Sequence, residues 1–207
     1  MSDLHCPATL LVARHGAAGY PRPGLLSDDG GWLSDAGRLQ VRALAEGLRT
    51  SRVAAVYSST MRRAVESAEL AAQVLSVRAL SLEGLQEFSV GELAGAAVAD
   101  RRAQDVFDAW LAGDLDAGCP GAENGHALVS RYREALEGIA DLHRGESVLV
   151  FSHGGVMSLA IPRLAYNGRN DLAAQRFLPH CEPAELAVDG DGWRVRSWPG
   201  VTDPAVV

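Results

Sequence analysis

Several features that mark specialised classes of protein are absent from this 207-residue chain. No apolar run approaches the roughly 20 residues that span a bilayer, and residues 1–5 carry no basic leader ahead of an apolar stretch. The three cysteines are odd in number and lack metal-ligand spacing, so we interpret them as free thiols in a reducing compartment. We therefore expect a cytoplasmic protein that does not associate with membranes.

Positive charge is also scarce. The chain has 19 Lys and Arg residues against 26 Asp and Glu residues, a formal net charge of -7 at pH 7. This balance argues against nucleic acid or a membrane surface as the partner. Any basic site must therefore be local, held within an acidic protein. Neither a repeat nor a low-complexity tract interrupts the sequence.

What the chain does contain is an alternation of strand and helix signals in one domain spanning residues 1–207, of which 47% are hydrophobic. This pattern predicts an α/β fold: three layers, with a mostly parallel central sheet and helices on both faces. Residues 97–125 are predicted to form a small helical lid inserted in this domain. Predicted strands are 9–13, 54–57, 148–151 and the hairpin 185–188/193–198, with short extended pieces at 77–82 and 85–88. Predicted helices are 34–48, 60–75, 103–112, 126–143 and 155–166.

Two predicted strands end in a histidine followed by glycine. Arg14-His15-Gly16 follows the first strand, and Ser152-His153-Gly154-Gly155 follows the strand at 148–151. Because the carboxyl ends of parallel strands meet at one sheet edge, both imidazoles should lie where open α/β folds bind ligands. Arginine beside the first histidine suggests an anionic ligand. We expect Gly16 and Gly154 to let the backbone approach the bound group.

The predicted strand at 54–57 leads to a second cationic position. Arg62 and Arg63 both fall in the first turn of the helix that follows, and a guanidinium group binds phosphate through two parallel hydrogen bonds. Glu87 lies in an apolar stretch and, near a bound anion, should hold a proton near neutral pH and act as a general acid. Glu92 is the alternative carboxylate.

Four motifs, in order, resemble the histidine phosphatase superfamily, also called phosphoglycerate mutase-like, over residues 9–198. They are Arg14-His15-Gly16, the run 59–68, the Glu87/Gly91/Gly95 spacing and Ser152-His153-Gly154-Gly155. The resemblance favours Arg63 over Arg62 and implies that His15 is the nucleophile of a phosphohistidine intermediate. It further implies that Glu87 protonates the leaving oxygen. The residues that it assigns to phosphate binding are Arg14, His15, Arg63, His153 and Gly154.

A nucleophilic histidine needs one unprotonated ring nitrogen, so the other ring N–H of His15 should donate to a backbone carbonyl. The family often continues Arg-His-Gly with Glu, Thr and Asn, whereas Ala17, Ala18 and Pro21 stand here. Tyr20 and Arg22 are candidates to supply the missing polar contacts. His180 lies in a loop that could approach the pocket.

The resemblance implies a hydrolase of the histidine acid phosphatase type. Such an enzyme would cleave a small phosphorylated metabolite without a metal ion or cofactor, as a monomer or homodimer. The alternatives are phosphoglycerate mutase-type phosphoryl transfer, a non-catalytic phospholigand-binding module and, less favoured, a protein-phosphohistidine phosphatase. The predicted lid is acidic, which disfavours a mutase because that enzyme must retain a doubly phosphorylated intermediate.

Overall fold

A computed structural model describes residues 6–169, 172 and 178–201. A six-stranded sheet is built from β1 (Ala8–Arg14), β4 (Val53–Ser58), β5 (Arg78–Ser81), β6 (Ser147–Ser152), β7 (Pro183–Asp189) and β8 (Gly192–Ser197). The strand order is β5-β4-β6-β1-β7-β8. The first four strands run parallel, and β7 and β8 are antiparallel to their neighbours. A separate ribbon pairs β2 (Ala18–Gly19) with β3 (Trp32–Leu33).

The α-helices with bounds inside the described residues are α1 (Asp35–Gly47), α2 (Arg62–Leu75), α3 (Arg102–Ala112), α4 (Gly125–Leu142) and α5 (Gly154–Leu164). Side-chain caps begin two of them: Ser34 accepts a hydrogen bond from the Gly37 N–H, and Asn124 accepts one from the Ala127 N–H. These contacts satisfy N–H groups that a helix leaves unpaired at its first turn.

Alternate residues of β1 enter two different cores. Leu10 and Val12 pack in the cluster that contains α4 and α5 residues, whereas Leu11 and Ala13 pack in the cluster that contains α1 and α2 residues. Since successive strand side chains point to opposite faces, the sheet is covered by helices on both sides. The predicted three-layer, mostly parallel α/β architecture is confirmed.

The predicted bounds of single strands and helices were less accurate than the predicted order of the layers. Residues 85–88 form no strand, the helix predicted to reach residue 166 ends at Leu164, and the ribbon of β2 and β3 was not predicted. Residues 1–5, where a leader segment was argued against, lie outside the described residues. Within the described part of the chain, no helix is both long and apolar enough to cross a membrane.

The carboxyl ends of three parallel strands lie level with one another. Arg14 in β1 pairs with Ser152 in β6, and Ser58 in β4 pairs with Phe151 in β6. One residue further on, the backbone N–H of His15 donates to the carbonyl of Ser152 at 3.0 Å. This register places the residues that follow β1, β4 and β6 at one edge of the sheet.

Candidate active site

Two buried imidazoles and one guanidinium group form the centre of this edge. The ring centroids of His15 and His153 are 5.2 Å apart, and the two residues are 2% and 0% exposed. Arg63 lies between them: its Nε–H donates to His15 Nε2 at 2.8 Å, and its Nη2 lies 3.0 Å from His153 Nδ1. The guanidinium edge that could bind an anion through two hydrogen bonds therefore bridges both histidines.

Hydrogen bonds define the proton positions on His15. Its Nδ1 lies 2.7 Å from the carbonyl oxygen of Gly16, so Nδ1 carries the hydrogen. Nε2 accepts from Arg63 and must carry a lone pair. Burial, followed by the charge of Arg63, holds the pKa of His15 well below its ordinary value. His15 is thus a neutral imidazole whose Nε2 lone pair points toward the cation, and the predicted backbone acceptor is Gly16.

His153 has the opposite tautomer. Its Nδ1 accepts from Arg63, and its Nε2–H donates to Ser59 Oγ at 2.7 Å. Burial, then the charge of Arg63, lowers the pKa of His153 well below its ordinary value, so this imidazole is also neutral. Sequence reasoning assigned no role to Ser59. Its position directly after β4 was the available signal, since it places the hydroxyl at the same edge as His15 and His153.

Arg63, rather than Arg62, belongs to the site. Arg63 is 6% exposed, whereas Arg62 lies at the surface and pairs with Glu66 at 2.7 Å. Burial lowers the pKa of Arg63, but a guanidinium remains charged at any working pH. Its Nη1 is buried and has no hydrogen-bond partner among the residues that the structure describes. That nitrogen packs against Gly30, where an added Cβ would lie only 1.8 Å away.

Arg14 supplies the second cation. Its Nη1 donates to the carbonyl of Leu178 at 3.1 Å, and its aliphatic part passes Gly154, where a Cβ would lie 3.4 Å from Arg14 Cδ. Burial lowers the pKa of Arg14, while Tyr20 and Glu87 act in the opposite direction. Both arginines line one cavity with His15, Glu87 and Gly154. All five residues predicted to be catalytic therefore meet at one place, with His153 directly behind Arg63.

Glu87 is anchored to the first turn of α5. Its Oε2 accepts from the Gly155 N–H at 2.9 Å, and its Oε1 accepts from the Val156 N–H at 2.8 Å. These two N–H groups, which a helix leaves unpaired in its first turn, hold the Glu87 side chain in place. An added Cβ at Gly155 would lie 2.7 Å from Glu87 Oε1, so Gly155 is needed for this contact. Glu92, the alternative, is exposed and does not line the cavity.

The reason predicted for Gly16 was wrong. A Cβ there would lie 2.7 Å from the carbonyl oxygen of Gly37 and 2.7 Å from the side chain of Leu33. This glycine therefore lets the chain after β1 pack closely on the start of α1, and it does not line the cavity. Its N–H donates to Ser67 Oγ at 3.2 Å, and Ser67 in turn donates to the Arg63 carbonyl. Ser67 thus ties the first strand end to the helix that carries Arg63.

Tyr20, Arg22 and His180, whose roles the sequence left undecided, lie in different positions relative to the cavity. Tyr20 lines the cavity, with its ring centroid 6.0 Å from Arg63 Cζ. Arg22 is exposed and does not line the cavity. His180 lies beside His15 and does not line the cavity: its Nδ1 lies 2.6 Å from the His15 carbonyl oxygen, and its ring centroid is 5.3 Å from that of His15. In the described residues, no three His, Cys, Asp or Glu side chains are grouped as metal ligands.

Comparison with known proteins finds relatives that match most of this chain. The family model for the histidine phosphatase superfamily (branch 1) matches residues 10–199. Phosphoglycerate mutase-like protein 4 from Arabidopsis thaliana is 29% identical over 204 residues, covering 94% of this chain and 86% of the relative. Metal-independent phosphoserine phosphatase from Arabidopsis thaliana is 33% identical over 158 residues, covering 72% of this chain and 65% of the relative. A mycobacterial glucosyl-3-phosphoglycerate phosphatase, solved with VO3, has the same fold, with a TM-score of 0.76 at 22% identity over 92% of this chain and 98% of that one.

Proposed function

Because this chain belongs to the histidine phosphatase superfamily (branch 1), we propose that it hydrolyses phosphomonoesters through a phosphohistidine formed on His15, without a metal ion. The observation that carries the proposal is the pair of hydrogen bonds on the His15 ring. Gly16 fixes the proton on Nδ1, and Arg63 meets the lone pair of Nε2. A nucleophilic nitrogen and the cation that would receive a phosphoryl group are therefore already in contact.

Phosphoryl binding would exchange one set of contacts for another. The Nε and Nη2 donors of Arg63, which now meet the two imidazoles, would turn to phosphoryl oxygens, and Arg14 would neutralise further charge. This exchange frees the Nε2 lone pair of His15 for attack on phosphorus. Since the two cations lower the pKa of His153, a bound dianion acts in the opposite direction and favours an N–H on Nδ1.

The chemical steps then balance as two displacements. Glu87 takes up a proton from solvent before the first step. His15 Nε2 then forms a bond to phosphorus while the ester P–O bond breaks, and Glu87 gives that proton to the departing oxygen. In the second step, a water molecule gives a proton back to Glu87 and its oxygen displaces His15 from phosphorus, releasing phosphate. Positioning and charge stabilisation supply most of the rate in such transfers, and here they come from Arg14, Arg63 and His153.

A phosphatase is favoured over a mutase by the charge of the cavity. In the part of the chain that the structure describes, the cations lining it are Arg14 and Arg63, both at the phosphoryl end beside His15. Neither would be left to hold a second phosphate on a doubly phosphorylated intermediate. Phosphoserine, named for one relative, and glucosyl-3-phosphoglycerate, named for a protein of the same fold, are two carboxylate-bearing esters to include in the assays for comparison.

The test is hydrolysis of p-nitrophenyl phosphate in the presence of EDTA. The wild-type protein should release p-nitrophenol, and His15→Ala should lower the rate by about 10³-fold or more because the nucleophile is lost. The matched control is His126→Ala, which removes an exposed histidine outside the cavity and should leave the rate unchanged. Loss of activity in EDTA, or full activity of His15→Ala, would refute the mechanism. Tight binding of vanadate without turnover would favour a non-catalytic module.

A further inference from the structure

The cavity extends well beyond the phosphoryl end. Its volume is about 340 Å³, at the lower end of the range for small-molecule sites. A single phosphoryl group leaves most of that space for the alcohol part of an ester. Apolar side chains form most of the lining of this second part: Leu26, Phe88, Val90, Val98, Ala103 and Phe107. The polar side chains Ser27, Asp100, Gln104 and Ser158 also line the cavity.

The aromatic wall of this space is preformed. Phe88 and Phe107 stack with ring centroids 5.7 Å apart and planes 15° from parallel. Trp110 packs edge-on against Phe88 at 5.3 Å, and it is fully buried with its indole N–H donating to the Ala117 carbonyl at 2.7 Å. The rings are thus fixed by a buried neighbour, so an apolar group would meet a surface that needs no rearrangement.

The opposite wall is held by backbone pairing between two segments distant in sequence. The Leu26 N–H donates to the Ala96 carbonyl at 2.8 Å, the Gly95 N–H donates to the Leu26 carbonyl at 2.9 Å, and the Val98 N–H donates to the Gly24 carbonyl at 2.7 Å. These bonds tie together the two segments that contribute Leu26 and Val98 to the cavity lining. Asp28 adds a further link, since its carboxylate accepts from the Val90 N–H at 2.7 Å.

Charge separates the two ends of the cavity. Of the described lining residues, Arg14 and Arg63 are the cations, and both belong to the phosphoryl end. The charged side chain at the other end is Asp100, which accepts a hydrogen bond from the Arg102 N–H at 3.2 Å and pairs with the Arg102 side chain at 2.7 Å. These contacts lower the pKa of Asp100, so it is a carboxylate at neutral pH. A second negative group on the ligand would meet apolar side chains and a carboxylate already paired with Arg102, and no cation beyond Arg14 and Arg63 lines the cavity among the described residues.

From this division we infer that the substrates are monophosphate esters of uncharged, apolar alcohols, and that esters carrying a carboxylate or a second phosphate on the alcohol are disfavoured. This inference rests on the proposed phosphatase activity and specifies its substrate class. An alkyl or aryl group would displace water from Phe88, Phe107 and Val98, a gain that grows with the apolar area covered. A carboxylate would lose its hydration without gaining a cationic partner.

A series of primary alkyl phosphates isolates this effect, because chain length changes the apolar area while the leaving alcohol stays chemically similar. Ethyl, n-butyl and n-hexyl phosphate should show kcat/KM rising by about threefold for each added methylene until the cavity is full. O-Phosphoserine and 3-phosphoglycerate, also esters of primary alcohols, should be hydrolysed at least about tenfold less efficiently than n-butyl phosphate. Phosphate release is measured for each ester, with p-nitrophenyl phosphate as the reference for activity itself.

A charged group placed on the apolar wall provides the variant test. Val98 is 58% exposed, so Val98→Asp should fold, and it should lower the hexyl-to-ethyl ratio of kcat/KM by about tenfold. Leu39→Asp is the matched control, because Leu39 is 70% exposed and lies on α1 outside the cavity lining; its ratio should not change. Rates that are independent of chain length, or a preference for 3-phosphoglycerate, would overturn the inference while leaving the phosphatase intact. Failure to hydrolyse any ester, p-nitrophenyl phosphate included, would refute both.

Discussion

The two ends of the cavity are built in different ways. At the phosphoryl end, His15 and His153 directly follow parallel strands whose register fixes their relative height, and Arg63 lies in the first turn of the helix after β4. At the other end, the wall consists of side chains on two loops and the helix α3, joined by backbone hydrogen bonds between residues 24–26 and 95–98. The proposed reaction centre is thus held by the sheet, and the proposed alcohol-binding surface beside it is held by loops.

We therefore expect the residues at the strand ends to determine the rate of the reaction, and the loop residues to determine which alcohol the cavity accepts. Changes in the residues at the strand ends should affect every phosphoester alike, because all share the phosphoryl group. Changes in the loop wall should affect esters according to their alcohol, as the Val98 experiment tests. Glu87 connects the two ends, since it lines the cavity while its backbone neighbour Phe88 forms part of the aromatic wall.

The sharpest test of the phosphoryl end is Arg63→Lys. Lysine keeps the positive charge but cannot span His15 and His153 with two donors in one plane, so we expect kcat/KM to fall by about 10²-fold or more for all esters. Arg62→Lys is the matched control, because that neighbour lies at the surface paired with Glu66. An equal effect of both substitutions, or an effect confined to esters with long alkyl chains, would break the proposed separation.

Glu87→Gln tests the residue that joins the two ends. Gln cannot give a proton to the leaving oxygen, so turnover of n-butyl phosphate should fall by about 10²-fold, whereas p-nitrophenyl phosphate, whose leaving group needs little protonation, should be slowed much less. Glu92→Gln, a change at an exposed carboxylate outside the cavity, should have little effect on either. If Glu87→Gln slows both esters equally, the carboxylate anchors α5 through Gly155 and Val156 without donating a proton.

The same difference explains what could be predicted from the sequence. His15, His153 and Arg63 were predictable because an apolar strand followed by a polar residue is visible in one dimension, and parallel strands align their ends. The choice between Arg62 and Arg63 needed the family resemblance, since both fall in the same helical turn. The three-layer order was also predictable, because the alternation of strand and helix signals is visible along the sequence.

The loop wall could not be predicted on the same basis. The bonds between Leu26 and Ala96, and between Val98 and Gly24, join backbone groups, which leave no side-chain pattern in the sequence. Phe107 looks in the sequence like any half-buried residue of a helix, and its position relative to Phe88 along the chain does not show that the two rings stack. The role of Gly155 was missed because its neighbour Gly154 looked equivalent until the position of the Glu87 carboxylate was known.

Gly30→Ala tests the contact between the loop that contains Gly30 and Arg63 at the phosphoryl end. We expect a smaller loss of activity than for Arg63→Lys or Glu87→Gln. Gly30 has φ 53° and an added Cβ would lie 1.8 Å from Arg63 Nη1. Alanine should therefore displace the guanidinium and lower kcat/KM by about tenfold for every ester, since one contact to the phosphoryl group is weakened. The protein should also lose about 1–2 kcal/mol of unfolding free energy from backbone strain.

Gly24→Ala separates these two effects. Gly24 has φ 83° in the same loop, and an added Cβ there would meet no atom within 4 Å. It should therefore lose similar stability, measured by urea unfolding, without the uniform loss of kcat/KM. If Gly24→Ala lowers activity as much as Gly30→Ala, loop strain alone governs the rate. If Gly30→Ala changes the hexyl-to-ethyl ratio instead of the rate for all esters, this part of the loop belongs to the alcohol-binding end, and the boundary between the two regions must be drawn closer to His15.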